Sequence, residues 1–457
     1  MPFERFRHLS LLLILPAFAG LQAQNTTQSP YSNFGIGELG GGEFAQFNGL
    51  GGISQAVSGA YRYSPLNPAS MGGIRYALVE FGFQGTTGRI EAGDKKRDVT
   101  TGGFSYLGVA MPTMNRRLIV GQRKDSVGNP IPRLMRLQMA TQFGLAPVSA
   151  VGFNYSLSDT VNLNHTVFHN GGGGINRAYF GHAIQVAGNL SLGYQASYLF
   201  GQLRDFSLFD LRDTGYFVRF EDQRNIDIQG WQHRVGFSWS PMTGKWRHTL
   251  GGSLTWHGNT TGSQSRLVRT YSSGFGGFPT YRDTVLFTQS QKGAVNLPDG
   301  FAAGYTIERP GVLRLSGEYR QENWEQFSAF YTGNRFANRE TVAFGLSLRP
   351  DAAPRKMRNR NRAPIEWRFG YRSVQTQNQF IGTGGPLAVR ETAYTLGAGI
   401  PVSRRYFDNS IIRSQLHLNL EYLERGNMES GLARERYLRL KLGVTLGDVW
   451  FDRNKYN

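Results

Sequence analysis

The chain has 457 residues, a formal charge of +18, no cysteine and a mean hydropathy of −0.37. Without cysteine there are no disulfides and no thiol chemistry, and beyond Ala23 no stretch approaches the ~20 apolar residues that a membrane helix needs. A basic balance raises nucleic acid as a partner, but there is no basic helix, no zinc-ligand spacing and no basic–aromatic platform, so nucleic acid is set aside. Membrane lipids and lipopolysaccharide suit exposed Arg and Lys better, and loops with a solvated lumen account for the same charge.

The chain opens with a secretory signal over residues 1–23. Arg5 and Arg7 form its basic start and Leu11–Leu15 the heart of its apolar run. Small residues lead to cleavage after Ala23, or after Ala19. The apolar stretch is interrupted by Ser10 and Pro16 and is too short for a membrane anchor. No Cys stands near the cleavage point, which excludes a lipoprotein.

Residues 24–74 are rich in Gly, Asn, Ser and Pro and show little alternation, as in Ser29–Gly37, Asn48–Gly52 and Ser64–Ala69. Such a segment cannot bury enough apolar surface to fold alone. Inside a wide barrel the wall would order it, and it would fill the pore; as a periplasmic tail it would stay disordered. Gly49-Leu50-Gly51-Gly52 lacks the Lys and the strand–helix setting of a phosphate loop. Asn67-Pro68-Ala69 closes the segment. Proline fixes φ and suits a compact bend, and the Asn67 amide can bond wall residues where backbone pairing stops. About six residues separate the triplet from Arg75, a reach of no more than ~20 Å. Its expected place is inside a barrel, near the periplasmic end and close to the first strand.

From residue 75 to 447 the pattern changes to alternation. Candidate strands are Tyr76–Gln84, Gly102–Met111, Val148–Leu157, Ile175–Val186, Leu190–Gly201, Ile226–Ser240, Trp246–His257, Phe301–Ile307, Val312–Arg320, Glu340–Arg349, Ile365–Ser373, Glu391–Ile400, Ser414–Leu423 and Glu435–Leu446. The last is the clearest: Leu438, Leu440, Leu442, Val444 and Leu446 point one way, and Arg439, Lys441, Gly443 and Thr445 the other. After an export signal, this recurring pattern predicts an all-β, transmembrane antiparallel barrel of about fourteen strands, apolar toward lipid and polar toward the lumen. The predicted lumen charges are Arg314, Glu318, Arg368, Glu421, Arg439 and Lys441, read mainly as a paired lining. Trp246, Trp256, Tyr371 and Tyr422 suit interface girdles.

Connection lengths give the orientation. Ala187–Asn189, Pro241–Lys245 and Glu308–Gly311 are short and read as periplasmic turns; Asp159–Gly174, Gln202–Asn225, Gly258–Gly300, Gln321–Arg339 and Val374–Arg390 are long and read as outer loops. Pro112–Pro147 breaks the rule and is expected to place a segment in the lumen. The turn carrying Arg355, Lys356, Arg358, Arg360 and Arg362 reads as a solvated basic turn or a contact for an acidic partner. Residues 448–457 read as a periplasmic extension.

Enzyme chemistry is not expected. His165, His169, His182, His233, His248, His257 and His417 fall in no metal spacing, and no serine sits in a nucleophile motif. No metal or cofactor is predicted.

A Gly-rich N-terminal segment, Asn67-Pro68-Ala69 before the first strand, about fourteen strands, and Asn296–Phe301 with Trp324 after the next strand together resemble the FadL/TodX transporters of Gram-negative outer membranes. Ser29–Gly35, Gly172–Asn176 and the ending Trp450–Tyr456 are similar to the Bacteroidota envelope barrels of that broad type. The resemblance implies passive uptake of hydrophobic small molecules, long-chain fatty acids among them, with Asn67, Pro68 and Ala69 in the hatch that gates it. It also admits a second role, because the family includes PorV-like scaffold barrels that serve protein-export machines through envelope protein partners.

Overall fold

The computed structural model describes residues 27–40, 42–124, 130–159, 165–211, 218–273, 279–330, 336–350, 364–382, 385–405, 411–448 and Trp450. The expected signal over residues 1–23, the expected basic turn at 355–362 and nearly all of the expected extension at 448–457 lie outside these residues.

Seventeen strands form one antiparallel sheet: β1 (Glu38–Leu39), β2 (Ala77–Ala92), β3 (Lys95–Lys124), β4 (Pro130–Asp159), β5 (His165–Val186), β6 (Leu190–Leu211), β7 (Val218–Trp239), β8 (Met242–Thr243), β9 (Trp246–Ser273), β10 (Pro279–Ala294), β11 (Gly300–Arg309), β12 (Leu313–Glu322), β13 (Arg339–Leu348), β14 (Glu366–Gly382), β15 (Gly385–Arg405), β16 (Ile411–Arg425) and β17 (Arg434–Asp448). Fourteen of them (β2–β7, β9 and β11–β17) make the wall, which closes where β17 pairs with β2 from Arg434–Glu91 to Asp448–Ala77. Closure leaves the sheet no end strand, as a membrane-crossing sheet requires.

The alternation sets the facing as expected. Leu438, Leu440, Leu442 and Leu446 are exposed on the outside, and Glu435 and Thr445 are buried within. At one level of the outer surface, neighbouring strands present Tyr305, Gly317, Phe344, Tyr371, Tyr394 and Tyr422 in register. This row forms an aromatic belt with a notch at the glycine.

Four of the expected outer loops are mostly strand, Val374–Arg390 among them, since β14 runs to Gly382 and β15 begins at Gly385. β5 begins at His165, β6 runs to Leu211, β7 begins at Val218, and β9 continues to Ser273 before β10 returns beside it. Outside the bilayer both sheet faces meet water, so the apolar–polar period that marks a strand disappears while the ladder continues. Cross-strand ion pairs help hold it: Asp210 with Arg219 at 3.1 Å, Asp222 with Arg266 at 2.7 Å, and Glu221 with Arg269 at 2.9 Å. The wall is therefore tall over β4–β9 and low over β11–β13, whose strands have only 10 residues each.

The expectation for Pro112–Pro147 is also corrected. Among its described residues no part enters the lumen as a separate segment, because β3 and β4 run on as a ladder from Pro112–Ala140 to Lys124–Pro130. Its prolines read as breakers, yet Pro112 and Pro147 sit at register shifts, where a missing N–H is tolerated.

One neighbouring pair is incomplete. The β3–β4 ladder stops at Leu107–Leu145. Above that point β3 pairs with β2 up to Lys95, and β4 pairs with β5 up to Asp159. This seam in the outer half of the wall is covered from inside by the N-terminal segment. Its β1 pairs Glu38 with Ala150 and Leu39 with Ser149. Ser29 N donates to Gly152 O and Gly40 N to Val148 O, both at 2.8 Å.

Candidate functional site: the filled lumen

Residues 27–74 contain little regular structure, yet most of them are buried against the inner faces of strands on every side. Asn67 is fully buried and caps a tight turn over Pro68–Gly73: its Oδ1 accepts from Ala69 N at 3.1 Å. Its Nδ2 donates to Gln55 O at 2.8 Å and to Phe237 O on β7 at 3.0 Å. Proline at the first position of the turn supplies the φ that the turn needs. The wall makes room with glycine: a Cβ on Gly193 of β6 would press on Pro68 and Ala69, and one on Gly236 of β7 would press on Asn67 Oδ1. The triplet thus lies against β6 and β7 at the end with the short turns. It does not lie beside the first wall strand, because the following turn spans the gap toward β2.

Charge ties the segment to the opposite side. Glu38 meets Arg425 at 2.7 Å and Arg439 at 2.8 Å, and Glu43 meets Arg320 at 3.1 Å. Glu318 accepts from Ser54 N at 2.6 Å and from Gln55 N at 2.8 Å. Arg62 meets Glu366 at 2.8 Å. Where the segment passes β13 and β14 the contact is backbone to backbone, since a Cβ on Gly370 would overlap Leu50 and Gly51.

All six predicted lumen charges point inward, in two groups. Glu421 takes Arg372 at 3.1 Å, Arg439 at 3.3 Å and Lys441 at 3.2 Å, and Glu318 takes Arg320 at 2.9 Å; these belong to the network around the plug. Arg314 pairs with Glu308 at 2.8 Å, and Arg368 with Glu366 at 3.4 Å, toward the short-turn end. Each of the six has an ion-pair partner, which offsets the cost of burying it. The hub of the network is a residue the sequence reading did not single out. Arg425 holds Glu38, Glu391 at 2.6 Å and Glu435 at 3.2 Å, and it lies two residues past the expected end of its strand. Glu38 and Glu43 were hidden in a glycine-rich stretch without period.

Among the described residues, cavities of about 120 Å³ open at two places in the lumen. One lies between the plug and an outer cover made by Leu297, Pro298 and Trp324. Its wall is apolar at Ile36, Ile175 and Leu199, and it also holds Arg177, Arg234 and His257. Nε and Nη2 of Arg177 have no hydrogen-bond partner although the residue is buried, and no ion pair of Arg177 occurs among the described residues. The second cavity lies behind the seam, between Phe104, Ser105, Ser149 and Ala150 on one side and Glu38, Glu43, Arg372, Arg425, Arg439 and Lys441 on the other. Both are below the ~300 Å³ at which pockets for drug-sized ligands begin.

Among the described residues no nucleophile, base and orienting group come together in one cavity. His417, the most buried histidine, bonds Arg368 at 3.0 Å and the Thr445 hydroxyl at 2.8 Å, and that hydroxyl in turn donates to Glu80 at 2.6 Å. Among the described residues no group of His, Asp and Glu could hold a metal ion.

Comparison with known proteins agrees with this architecture. A family model described as BamG matches residues 6–122 and 126–457. No curated protein sequence matches the chain. Among solved structures it is similar to the CymD monoaromatic hydrocarbon channel, with 14% identity, coverage of 92% of this chain and 100% of that one, and a TM-score of 0.53. The toluene transporter TodX of P. putida follows with 12%, 89% and 98%, and 0.53. A FadL homologue of Pseudomonas aeruginosa gives 11%, 93% and 100%, and 0.50. At such identities the likeness is one of fold: an outer-membrane barrel of the FadL/TodX type.

Proposed function

The chain belongs to the BamG family, and we propose that it serves as a plugged, non-conducting scaffold barrel in an outer-membrane assembly. One observation carries this reading: the plug is fixed to strands all round the lumen. Its polar ties reach β4, β7, β12, β14, β16 and β17, and glycine contacts add β6 and β13. Opening a path means breaking buried charge pairs together, at several kcal/mol for each stranded ion. A gate built for frequent opening is held more lightly.

The test is conductance and uptake. In planar bilayers the intact barrel is expected to pass no current, and cells carrying it are expected to take up toluene no faster than cells without it. Deletion of residues 24–64 is expected to leave a folded barrel that conducts. Steady conductance or toluene uptake by the intact protein overturns the scaffold reading.

A second reading, passive uptake of hydrophobic molecules through a hatch at Asn67, Pro68 and Ala69, is favoured by the outer cavity. Its apolar wall and Arg177, which has no ion pair among the described residues, would suit a long-chain fatty acid, with the carboxylate on the guanidinium. Saturable binding of oleate that is lost in Arg177→Met would support it.

A further inference from the structure

We propose that the seam between β3 and β4 is a docking site for an extended polypeptide segment of another outer-membrane protein, paired edge-on to β3. The proposal rests on the scaffold reading and names its class of partner. Among the described residues the other wall strands are laddered to both neighbours; here the ladder ends at Leu107–Leu145, and above it β3 and β4 have no backbone pairing with each other, although Arg97 Nη1 on β3 donates to Asn154 O on β4 at 2.7 Å. A sheet edge presents backbone N–H and C=O groups that hydrocarbon cannot satisfy and that readily pair with another chain.

The β4 side already takes extended chain. β1 pairs with it in antiparallel register at Ala150 and Ser149, flanked by the bonds from Ser29 and Gly40. The β3 side is shaped differently. Tyr106 pairs with Gly82 and Phe104 with Phe83, so Ser105 is the extra residue of a bulge, and its Oγ is buried with no hydrogen-bond partner. Bulges of this kind sit where pairing ends or a site begins.

The cavity behind the seam decides which guest fits. Phe104 and Ser105 open directly onto the charges around Glu38, Arg372, Arg425 and Arg439. An apolar molecule passing here would desolvate paired ions and return nothing to them. A strand supplies backbone donors and acceptors to the edge, apolar side chains to lipid, and a polar side chain inward, which is the pattern of the wall itself. Arg and Lys outnumber Glu around this cavity, so the inward guest residue is Asp or Glu.

The test uses the full-length protein in the outer membrane of cells that make it. The photoreactive p-benzoylphenylalanine replaces Phe104 and, as a control, Phe180 on the lipid side of β5, which is 60% exposed. Heat-modifiable migration on gels verifies that each variant is folded. If the variant at Phe104 does not fold, the probe moves to Leu145 at the floor of the seam. The expected result is one dominant adduct from the seam position, mapped by mass spectrometry to a single short stretch of another outer-membrane protein that contains Asp or Glu, with no such adduct from Phe180. Adducts only to lipid, to lipopolysaccharide or to this chain's own residues overturn the proposal. A native complex that persists without a seam adduct also overturns it, and leaves the scaffold reading standing. A seam adduct from a barrel that also conducts supports the strand site and removes the non-conducting role.

Discussion

The two inner halves of this barrel hold the same plug by opposite means. Across β12–β17 the lumen side is charged, and the segment is gripped through ion pairs of Arg425 and Arg439 with Glu38, Arg320 with Glu43 and Glu366 with Arg62. Across β4–β9, beside Arg177 and Arg234, it carries an apolar cluster, where Ile175, Leu199, Leu203, Ile226 and Ile228 pack with Val151, Phe153, Ile36 and the cover residues Leu297 and Trp324. The difference shows what each interaction is for. Apolar packing is indifferent to direction and tolerates small shifts, whereas paired buried charges fix a single position and are costly to part. The charged half therefore sets the register of the plug, and the apolar half supplies bulk burial.

The strongest way to break this asymmetry is to remove the hub. Arg425→Met leaves Glu38, Glu391 and Glu435 buried without their shared cation. The expected loss is about 3–5 kcal/mol, read as a lower urea midpoint by tryptophan fluorescence, with the plug opened to protease. An unchanged midpoint would mean that these charges are solvated rather than buried. On the lipid face, Leu442→Arg is expected to cost about 2–4 kcal/mol near the bilayer midplane. Its inward neighbour Lys441→Ala is expected to cost clearly less, because Arg372 and Arg439 still serve Glu421. Equal costs would show that the facing of β17 is wrong.

The sequence was legible where one face met lipid and the other met charge. That contrast placed all fourteen wall strands and turned Leu438 outward and Arg439 inward. It failed in three physical situations. Above the bilayer, residues such as Phe206–Leu211 and Val218–Arg224 lose the alternation although the ladder continues. In the apolar half, Ile226 and Ile228 face inward, so inner and outer faces look alike and the second grip on the plug was invisible. In the plug, Glu38 and Glu43 act through contacts nearly 400 and 280 residues away along the chain, which no local pattern encodes.

Glycine at the plug–wall contact gives a test of intermediate size. A Cβ on Gly370 would overlap Leu50 and Gly51, and the fixed strand ladder leaves the plug as the element that moves. Gly370→Ala is expected to cost about 1–3 kcal/mol and to raise single-channel conductance, while Gly317→Ala on the outer face does neither. If both glycines tolerate alanine, the plug is not pressed on the wall there. In the apolar half, Ile228→Val removes one methylene from a packed site. About 0.5–1.5 kcal/mol is expected in the urea midpoint, with no change in conductance, because the ion pairs still hold the register.

The smallest effect belongs to the tall outer sheet, beyond both halves of the lumen. Asp222 accepts from Arg266 and Arg224, whose side chains are 37% and 33% exposed, so the gain is screened and Asp222→Asn should cost less than about 1 kcal/mol. The pH dependence is the sharper readout. Burial pushes the Asp222 carboxyl up, but the hydrogen bonds from Arg266 and Arg224 outweigh it and hold it below the ordinary carboxylate range. A group with a depressed folded pKa stabilises fully above its unfolded value, about 4, and loses that contribution as pH falls through the lower folded value. The difference between the parent and Asp222→Asn should therefore be constant from neutral pH down to about 5 and shrink below about 4. Urea midpoints across this range decide it: a difference that grows on acidification would mean that Asp222 is neutral in the folded sheet and that the arginines are held by something else.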